Sequence, residues 1–284
     1  MAIDTILQNT YSSNIMLVSQ QLLANLEKAV YIKPDCKGEM AFQEQLASSE
    51  ALEKTGRNQD VVNEDPSYNR RKITPRYFYK APLVDSMDKV YMVKDPTSEI
   101  VQSNGGALAR AKDTVIANAL FATAYGGKEG TTTYALATAN KVAVGSTGLT
   151  VTKLRAAAQI LNENEVPKSD RFIACASQGV TDLLSADEIT SVDFNTVKAL
   201  VDGTVNQFMG FSFVQSEKMP ISSTTRKAAA FHKTGLCLGV WLDLKTSIDI
   251  LPGKHFSAQI YAGQSYGATR LEEAKVVEIS CYEA

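Results

Sequence analysis

The residues best placed to do chemistry are Gly263-Gln264-Ser265-Tyr266-Gly267. They match G-x-S-x-G, the strand-to-helix turn that exposes a serine nucleophile in an α/β-hydrolase. A strand must precede that turn, and His255–Tyr261 reads as one. The other requirements fail. A helix must follow, but Ala268-Thr269-Arg270 leads toward a further strand. The base must be a histidine downstream of the serine, in the order Ser, acid, His. The chain has two histidines, His232 and His255, and both precede Ser265. The glycines are therefore expected to permit a turn or a bulge.

Other chemistries fail on spacing. Gly126-Gly127-Lys128-Glu129-Gly130 carries its lysine inside the glycines, whereas a phosphate loop needs Lys then Ser or Thr after them. Two isolated histidines cannot build H-E-x-x-H, and no D-x-D-x-D-G loop occurs. Cys36, Cys175, Cys237 and Cys281 are far apart with no C-x-x-C pair, which fits free thiols in a reducing cytoplasm. No catalytic, cofactor-binding or metal-ligating set is expected, and the chain is read as a non-enzyme.

The 284 residues allow one large domain or two ordinary ones. Apolar residues make up 44% and charged residues 21%, as in globular proteins. The net charge of −2 comes with no basic stripe, so strong nucleic-acid affinity is not expected. No run approaches the roughly 18 apolar residues that span a membrane. Met1-Ala2-Ile3-Asp4 does not begin a secretory leader.

Thr97–Tyr125 organises the chain. Ile100, Asn104, Leu108, Ala111, Val115, Ala119 and Ala122 recur at three- and four-residue steps, which predicts one long amphipathic helix. Thr97 or Ser98, after Asp95-Pro96, can cap its start, and Gly126-Gly127 can stop it. Gly105-Gly106 predicts a kink, or a start delayed to Ala107. Upstream, Ile15, Val18, Leu22, Leu26 and Ala29 or Val30 predict a second helix, either a core helix or an arm that docks on a neighbouring subunit.

Residues 34–90 hold few large aliphatics. Met40, Phe42, Glu44 and Leu46 alternate, as do Ile73, Pro75, Tyr77 and Tyr79, which predicts a two-stranded ribbon with a wide tip and Pro75 at an edge. Such a ribbon cannot bury its own core and must lie on something else. Its acids, including Glu50 and Glu53, crowd the first arm. Its bases, Arg70, Arg71, Lys72, Arg76 and Lys80, crowd the second. These charges pair across the ribbon or with another copy of the chain, where they would fix register. Arg70, Arg71, Lys72, Arg76, Glu50 and Glu53 are the candidate inter-subunit contacts.

The remainder reads as a mixed α+β body. It has short strands within 133–144, a turn at Gly145–Gly148 and a helix with Val151, Leu154, Ala158 and Leu161 inward, closed by Asn162, Asn164 and Pro167. Arg171–Ala176 is a buried strand. Ser177 caps a short helix to Leu184, and Asn195–Val201 forms a helical turn or two. Phe211–Ser216, Ala228–Phe231, Leu236–Trp241 and Lys275–Cys281 are buried or strand segments.

In pattern and order the chain resembles the major capsid proteins of tailed bacteriophages with the Hong Kong 97-type (Johnson) fold. The resemblance rests on Gly148-Leu149-Thr150 with Lys153-Leu154-Arg155-Ala156-Ala157, and on Arg171–Ala176 followed by Gly179–Leu184 and Ser185-Ala186-Asp187. It rests also on Asp202-Gly203 with Met209–Ser216 and Met219-Pro220, then Ala230–Lys233, and on Gly267-Ala268-Thr269-Arg270 with Val276–Ile279. It implies an N-terminal arm (1–33), an extended loop lying over the adjacent subunit (34–90), a peripheral domain (91–167 and 263–284) with a spine helix at 97–125, and an axial domain (168–262). The glycine motif would then be the turn where the chain re-enters the peripheral domain.

The resemblance implies a structural subunit that assembles with itself as hexamers and pentamers into an icosahedral virion shell in the host cytoplasm. Double-stranded DNA would be held only loosely. No cofactor and no membrane are implied. A separate scaffolding protein is expected because the chain starts almost directly with the arm, and a portal is expected beside it. Some family members cross-link a lysine of the extended loop to an asparagine, but no motif singles out Lys54, Lys72 or Lys80. The alternatives are an encapsulin-type compartment around a protein cargo, a tail-tube subunit and the G-x-S-x-G hydrolase.

Overall fold

The computed structural model describes residues 20–58, 60–61, 63, 65–85, 97–185 and 207–283. The predicted helical turn at Asn195–Val201, and Ile15, Val18, Asp95, Pro96, Ala186, Asp187, Asp202 and Gly203, lie outside them. The strands before the long helix are β1 (Tyr31–Lys33), β2 (Ala41–Leu46), β3 (Tyr68–Ile73), β4 (Arg76–Lys80) and β5 (Leu83–Val84). Helix α1 (Thr97–Phe121) leads into β6 (Ala124–Gly126), β7 (Thr132–Tyr134) and β8 (Lys141–Val142). Then come α2 (Val151–Glu163), β9 (Arg171–Cys175) and α3 (Ser177–Leu184). The C-terminal strands are β10 (Gln207–Phe208), β11 (Phe211–Gln215), β12 (Ile221–Ser222), β13 (Thr225–His232), β14 (Leu236–Leu251), β15 (Ser257–Arg270) and β16 (Val276–Tyr282).

The central sheet runs β10-β11-β9-β13-β16-β8, with β12 on β13. Its middle strands are buried on both faces. Ile173, Ala230 and Val277 meet α2 and α3 through Leu154, Leu161 and Leu183. Ala174, Ala229, Phe231 and Val276 face the other way, toward Ile116 and Leu120 of α1. Two-sided burial explains why Phe172–Ala176 and Ala228–Phe231 are unbroken apolar runs rather than alternating ones. A second sheet, β1-β14-β15-β4 with β5 beside β4 on β15, packs one face on α1. A third, β2-β3-β6-β7, holds the ribbon.

Pairing crosses the boundaries expected at 168 and 262. β16 is central in the sheet of β9 and β13, and β14 pairs with β15 from Leu236↔Arg270 to Leu251↔Ser257. The ribbon is also shorter than expected. β2 pairs with β3 only from Ala41↔Ile73 to Leu46↔Tyr68. The expected strand through Ile73 and Tyr79 is two strands, because Thr74-Pro75 separates β3 from β4 and β4 joins β15 as an edge. Proline's missing N–H makes this the natural place to change sheets.

Gly263–Gly267 is not a turn. It lies inside β15, paired to β4 on one side and β14 on the other. The irregularity falls on the opposite strand, where register shifts between Val240, Leu242 and Lys245 bulge β14 against Tyr266, Ser265 and Gly263. A Cβ on Gly267 would lie 2.1 Å from the Thr74 carbonyl oxygen, so the glycine admits the backbone as it passes between sheets.

Helix α1 ends at Phe121 rather than Tyr125, because Ala124–Gly126 is drawn into pairing with β7 and β3. It runs through Gly105-Gly106 without a break. Gly106 has a packing reason: a Cβ there would sit 3.1 Å from the Gln21 carbonyl oxygen and 3.2 Å from Leu22. The incoming chain crosses the helix at that point.

That incoming segment is not the expected helix over the described residues. Gln20–Leu26 is irregular and Glu27–Ala29 is a single 3-10 turn. Asp113 of α1 is the cause. Its fully buried carboxylate accepts the backbone N–H of Asn25 at 3.0 Å and of Leu26 at 3.1 Å, and the amide of Gln21. Those N–H groups are lost to helical bonding. Lys112 pairs with Glu27 at 3.0 Å, and Arg110 donates to the Gln21 carbonyl at 2.8 Å. Leu26, Ala29 and Val30 then enter the core beside Val115 and Ile116.

Helix α3 is capped from a distance. Ala176 takes the cap position, Ser177 is the first helical residue, and the Ser177 N–H donates to Glu217 at 2.7 Å. Burial alone would raise the Glu217 carboxyl, but hydrogen bonds from Ser177 and the charge of Arg226 outweigh it and hold it below its usual 4.5.

Two predictions follow from these ties. Asp113→Ala strands one buried and one half-buried N–H group, costs about 3 kcal/mol, and lets trypsin cut after Lys28; protection equal to wild type would show that the arm is held otherwise. A carboxyl with a lowered folded-state pKa stabilises above its unfolded value and loses that effect as pH falls through the folded one. The thermal stability of wild type over Glu217→Gln is therefore constant at pH 6–7 and shrinks below about pH 4.5. A gap that stays constant into acid would exclude the capping charge.

Candidate assembly surfaces

The ribbon is held at its root by a buried charge cluster. Arg71 on β3 is 5% exposed; its Nε donates to the Leu271 carbonyl at 2.9 Å and its Nη2 to Glu273 at 2.8 Å. Its guanidinium lies 3.4 Å from the centre of the Tyr134 ring on β7, a cation–π contact that occupies the flat face of the group. Arg270, at the end of β15, is fully buried. It donates to the Leu120 and Ala122 carbonyls, both at 2.9 Å, and to the Tyr134 carbonyl at 2.9 Å. Those first two oxygens belong to the end of α1, where a cation also meets the negative end of the helix dipole. Glu273 lies 3.6 Å from Arg270 Nε and so faces both arginines. Burial lowers the pKa of Arg270, opposed chiefly by the Glu273 charge.

The predicted contact residues separate into two groups. Arg71 is turned inward and its charge is met within the subunit. Arg70 is half-buried, with its guanidinium 4.5 Å from the Phe42 ring and its Nε donating to the Gly127 carbonyl at 3.0 Å. Arg70 lies opposite Glu44 in the register, yet no ion pair links them among the described residues. Lys72 and Arg76 border a cleft of about 560 Å³ beside the C-terminal half of α1. Glu50 and Glu53 are exposed on the loop beyond the ribbon's far end. The structure brings Lys72 and Arg76 together and keeps Glu50 and Glu53 apart from both.

The residues that position the ribbon were not among the candidates. Glu273 and Tyr134, like Asp113 which holds the incoming segment at Asn25, carry no short-range sequence signal, because each acts on a partner more than 60 positions away. Arg270 did carry one, as the last residue of the Gly267–Arg270 run.

The chemistry weighed for Ser265 finds no support in the geometry. Ser265 is in mid-strand opposite Tyr77. His232 is directed to Thr234, whose N–H its Nδ1 accepts at 3.2 Å, and His255 lies in the tight turn between β14 and β15. All four cysteines are free and buried. Burial pushes the thiols of Cys175 and Cys237 up to about 12 and that of Cys281 to about 11, far from thiolate reactivity. Among the described residues no group of three or more His, Cys, Asp or Glu can hold a metal ion.

A family model described as "Phage capsid protein" matches residues 3–283. No curated protein matches the sequence. The fold is similar to the capsid of Cyanophage P-SCSP1u, with a TM-score of 0.78 at 15% identity over 100% of this chain and 95% of that one. A chain of Mycobacterium phage Che8 gives 0.74 at 16% identity, covering 98% of each chain. The acid-stable capsid of Helicobacter pylori bacteriophage KHP30 gives 0.75 at 10% identity, over 99% of this chain and 96% of that one.

The root cluster makes its own prediction. Arg71→Ala leaves Glu273 half-compensated and strips the Tyr134 ring, costing about 3–5 kcal/mol in thermal or denaturant unfolding. Arg71→Lys keeps the charge but loses the flat stacking and the two-directional fork, and recovers less than half of that loss. A fully stable lysine variant would reduce the site to simple charge neutralisation.

Proposed function

The chain belongs to the phage capsid protein family, and we propose that it is the major shell subunit of a tailed phage, closing as hexamers and pentamers into an icosahedral shell around double-stranded DNA. The observation that carries this reading is the family match, which runs through ribbon, helix and body alike, from residue 3 to residue 283. Its place is the virion capsid, and its first partner is itself. The architecture supports self-association: a ribbon of two short strands and a long β14–β15 hairpin leave the core with exposed tips. Small exposed contacts of this kind are weak singly and become effective when repeated around a closed shell.

The finer reading follows the same line. Residues 34–90 serve as the extended loop, α1 as the spine of the peripheral domain, and the central sheet as the frame of the axial domain. A scaffolding protein, a portal and DNA are the further partners, with assembly in the host cytoplasm. The near-neutral charge of −2 supports a wall that encloses DNA without gripping it, since tight binding needs many cations on phosphates. The role needs no catalysis.

Negative-stain electron microscopy of the purified protein, with mass by light scattering, tests the proposal. Closed particles that contain nucleic acid when taken from infected cells are expected. Closed particles around a co-purifying protein would move the assignment to a cargo compartment. Rods or stacked rings would move it to a tail tube.

A further inference from the structure

Among the described residues, two stretches join the central sheet directly to the second sheet: 232–236 between β13 and β14, and 270–276 between β15 and β16. The two crossings lie side by side. The Leu271 N–H donates to the Gly235 carbonyl at 2.8 Å, and a Cβ on Gly235 would sit 3.0 Å from that of Lys275. Leu271 also reaches the other way, since its carbonyl accepts from the Nε of Arg71 at 2.9 Å. Hydrogen bonds therefore run from the first crossing, through the Leu271 peptide units, to the ribbon's root.

His232 closes the first crossing. It is 7% exposed and caps the 3-10 turn Lys233–Gly235: its Nδ1 accepts the Thr234 N–H at 3.2 Å and lies 2.9 Å from the Thr234 hydroxyl. That bond assigns the proton of the neutral ring to Nε2. Its register partner is Arg171, whose buried guanidinium meets only neutral acceptors, Asn162 Oδ1 and the Val166 and Pro167 carbonyls. Lys275 faces the ring from the second crossing, and exposed Lys233 follows it in the turn. The facing acids are Asp170 and Glu272, and Glu272 is already paired with Lys275 at 2.6 Å. Burial, then the charge of Lys275, holds the imidazole below its usual 6.5.

We propose that His232 is an acid-sensitive latch between the two sheets: neutral, it holds the first crossing closed on the second, and protonated, it releases the Thr234 N–H and loosens the Leu271 peptide that anchors Arg71. A second proton has only Nδ1 to occupy. It turns the acceptor of the Thr234 N–H into a donor, and it sets a cation directly opposite Arg171, where like charges repel. The Thr234 hydroxyl still accepts from the protonated ring, so the backbone N–H is the group driven off. A group whose folded-state pKa is lowered stabilises fully above its unfolded value and loses that effect as pH falls through the folded one. The latch is thus closed at neutral pH and opens on acidification.

Amide hydrogen exchange of the full-length chain, with the histidine ring signals followed by NMR over about pH 7.5 to 5, tests this. Protection at Thr234 and Leu271, corrected for the intrinsic pH dependence of exchange, should fall about five-fold or more, as for the loss of one backbone hydrogen bond. The fall should keep step with the His232 ring signal, while Ile173 in β9 stays protected. His232→Asn places Oδ1 where Nδ1 was and takes up no proton, so both amides should stay protected over the same range. His255→Gln leaves His232 as the one histidine of the chain and should behave as wild type. Wild-type protection that ignores pH, or a His232→Asn chain that loses it as the wild type does, would overturn the latch. Loss at Thr234 without loss at Leu271 would overturn the route to the ribbon. Should His232→Asn fail to fold, the titration of His255→Gln decides: a loss of protection that does not follow its single ring signal excludes His232 as the trigger.

Discussion

A guanidinium taken wholly out of water has to find its partners inside the protein, and Arg270 finds them where every large element of this fold converges. Its hydrogen bonds end α1, its strand belongs to the second sheet, and the carbonyl of Tyr134 ties it to the ribbon's sheet. Glu273, shared with Arg71, stands just before β16 of the central sheet. An isolated buried charge is far too costly, so the cluster exists only when all four units are in place. It therefore acts as a condition on geometry more than as a source of stability. Hydrophobic burial drives the two large cores together, and this cluster fixes the angle at which the thin ribbon leaves them.

The body was largely legible because its signals are local. The long helix, the Val151 helix and the runs at Arg171, Phe211, Ala228 and Val276 follow from periodicity and from two-sided burial. The errors arose where a distant group overruled a local pattern. Leu22, Leu26 and Ala29 have helical spacing, but Asp113, nearly ninety positions away, takes the backbone donors that a helix would need. Gly263 and Gly267 have the look of a turn, yet Gly267 lets Thr74 cross β15 in close contact and Gly263 leaves room for the hydroxyls of Tyr77 and Tyr261. Gly105-Gly106 suggested a weak helix, while Gly106 is small to admit the arm. Among the candidate contacts, charge segregation did not distinguish Arg71, turned inward to Glu273, from its neighbours Arg70 and Lys72.

Chemical sites concentrate functional groups in an enclosed pocket; this chain spreads them along protruding elements. Its thiols are buried and inert, Ser265 is held in mid-strand between β4 and β14, and the cleft beside Lys72 is open to solvent. The surface still carries information, in the form of charges and apolar side chains left without partners. Unpaired surface charge favours solubility and steering while the subunit is free, and specificity once a complementary surface arrives.

The same alternation that builds β3 divides folding from assembly. Successive side chains of a strand point to opposite faces. Arg71 and Ile73 thus point into the body, one to Glu273 and the other to a fully buried site beside Cys237. Arg70 and Lys72 point away, the first braced on Phe42 and the second open to the cleft. Three consecutive cations are therefore not equivalent. A slip of one residue in the ribbon would bury Lys72 without a carboxylate and expose Arg71 and Ile73, so it is opposed by both charge and hydrophobic burial. Register is held by Arg71, and the placement of Lys72 on the outer face follows from it. The cation on the outer face is set in position by the one that faces the core.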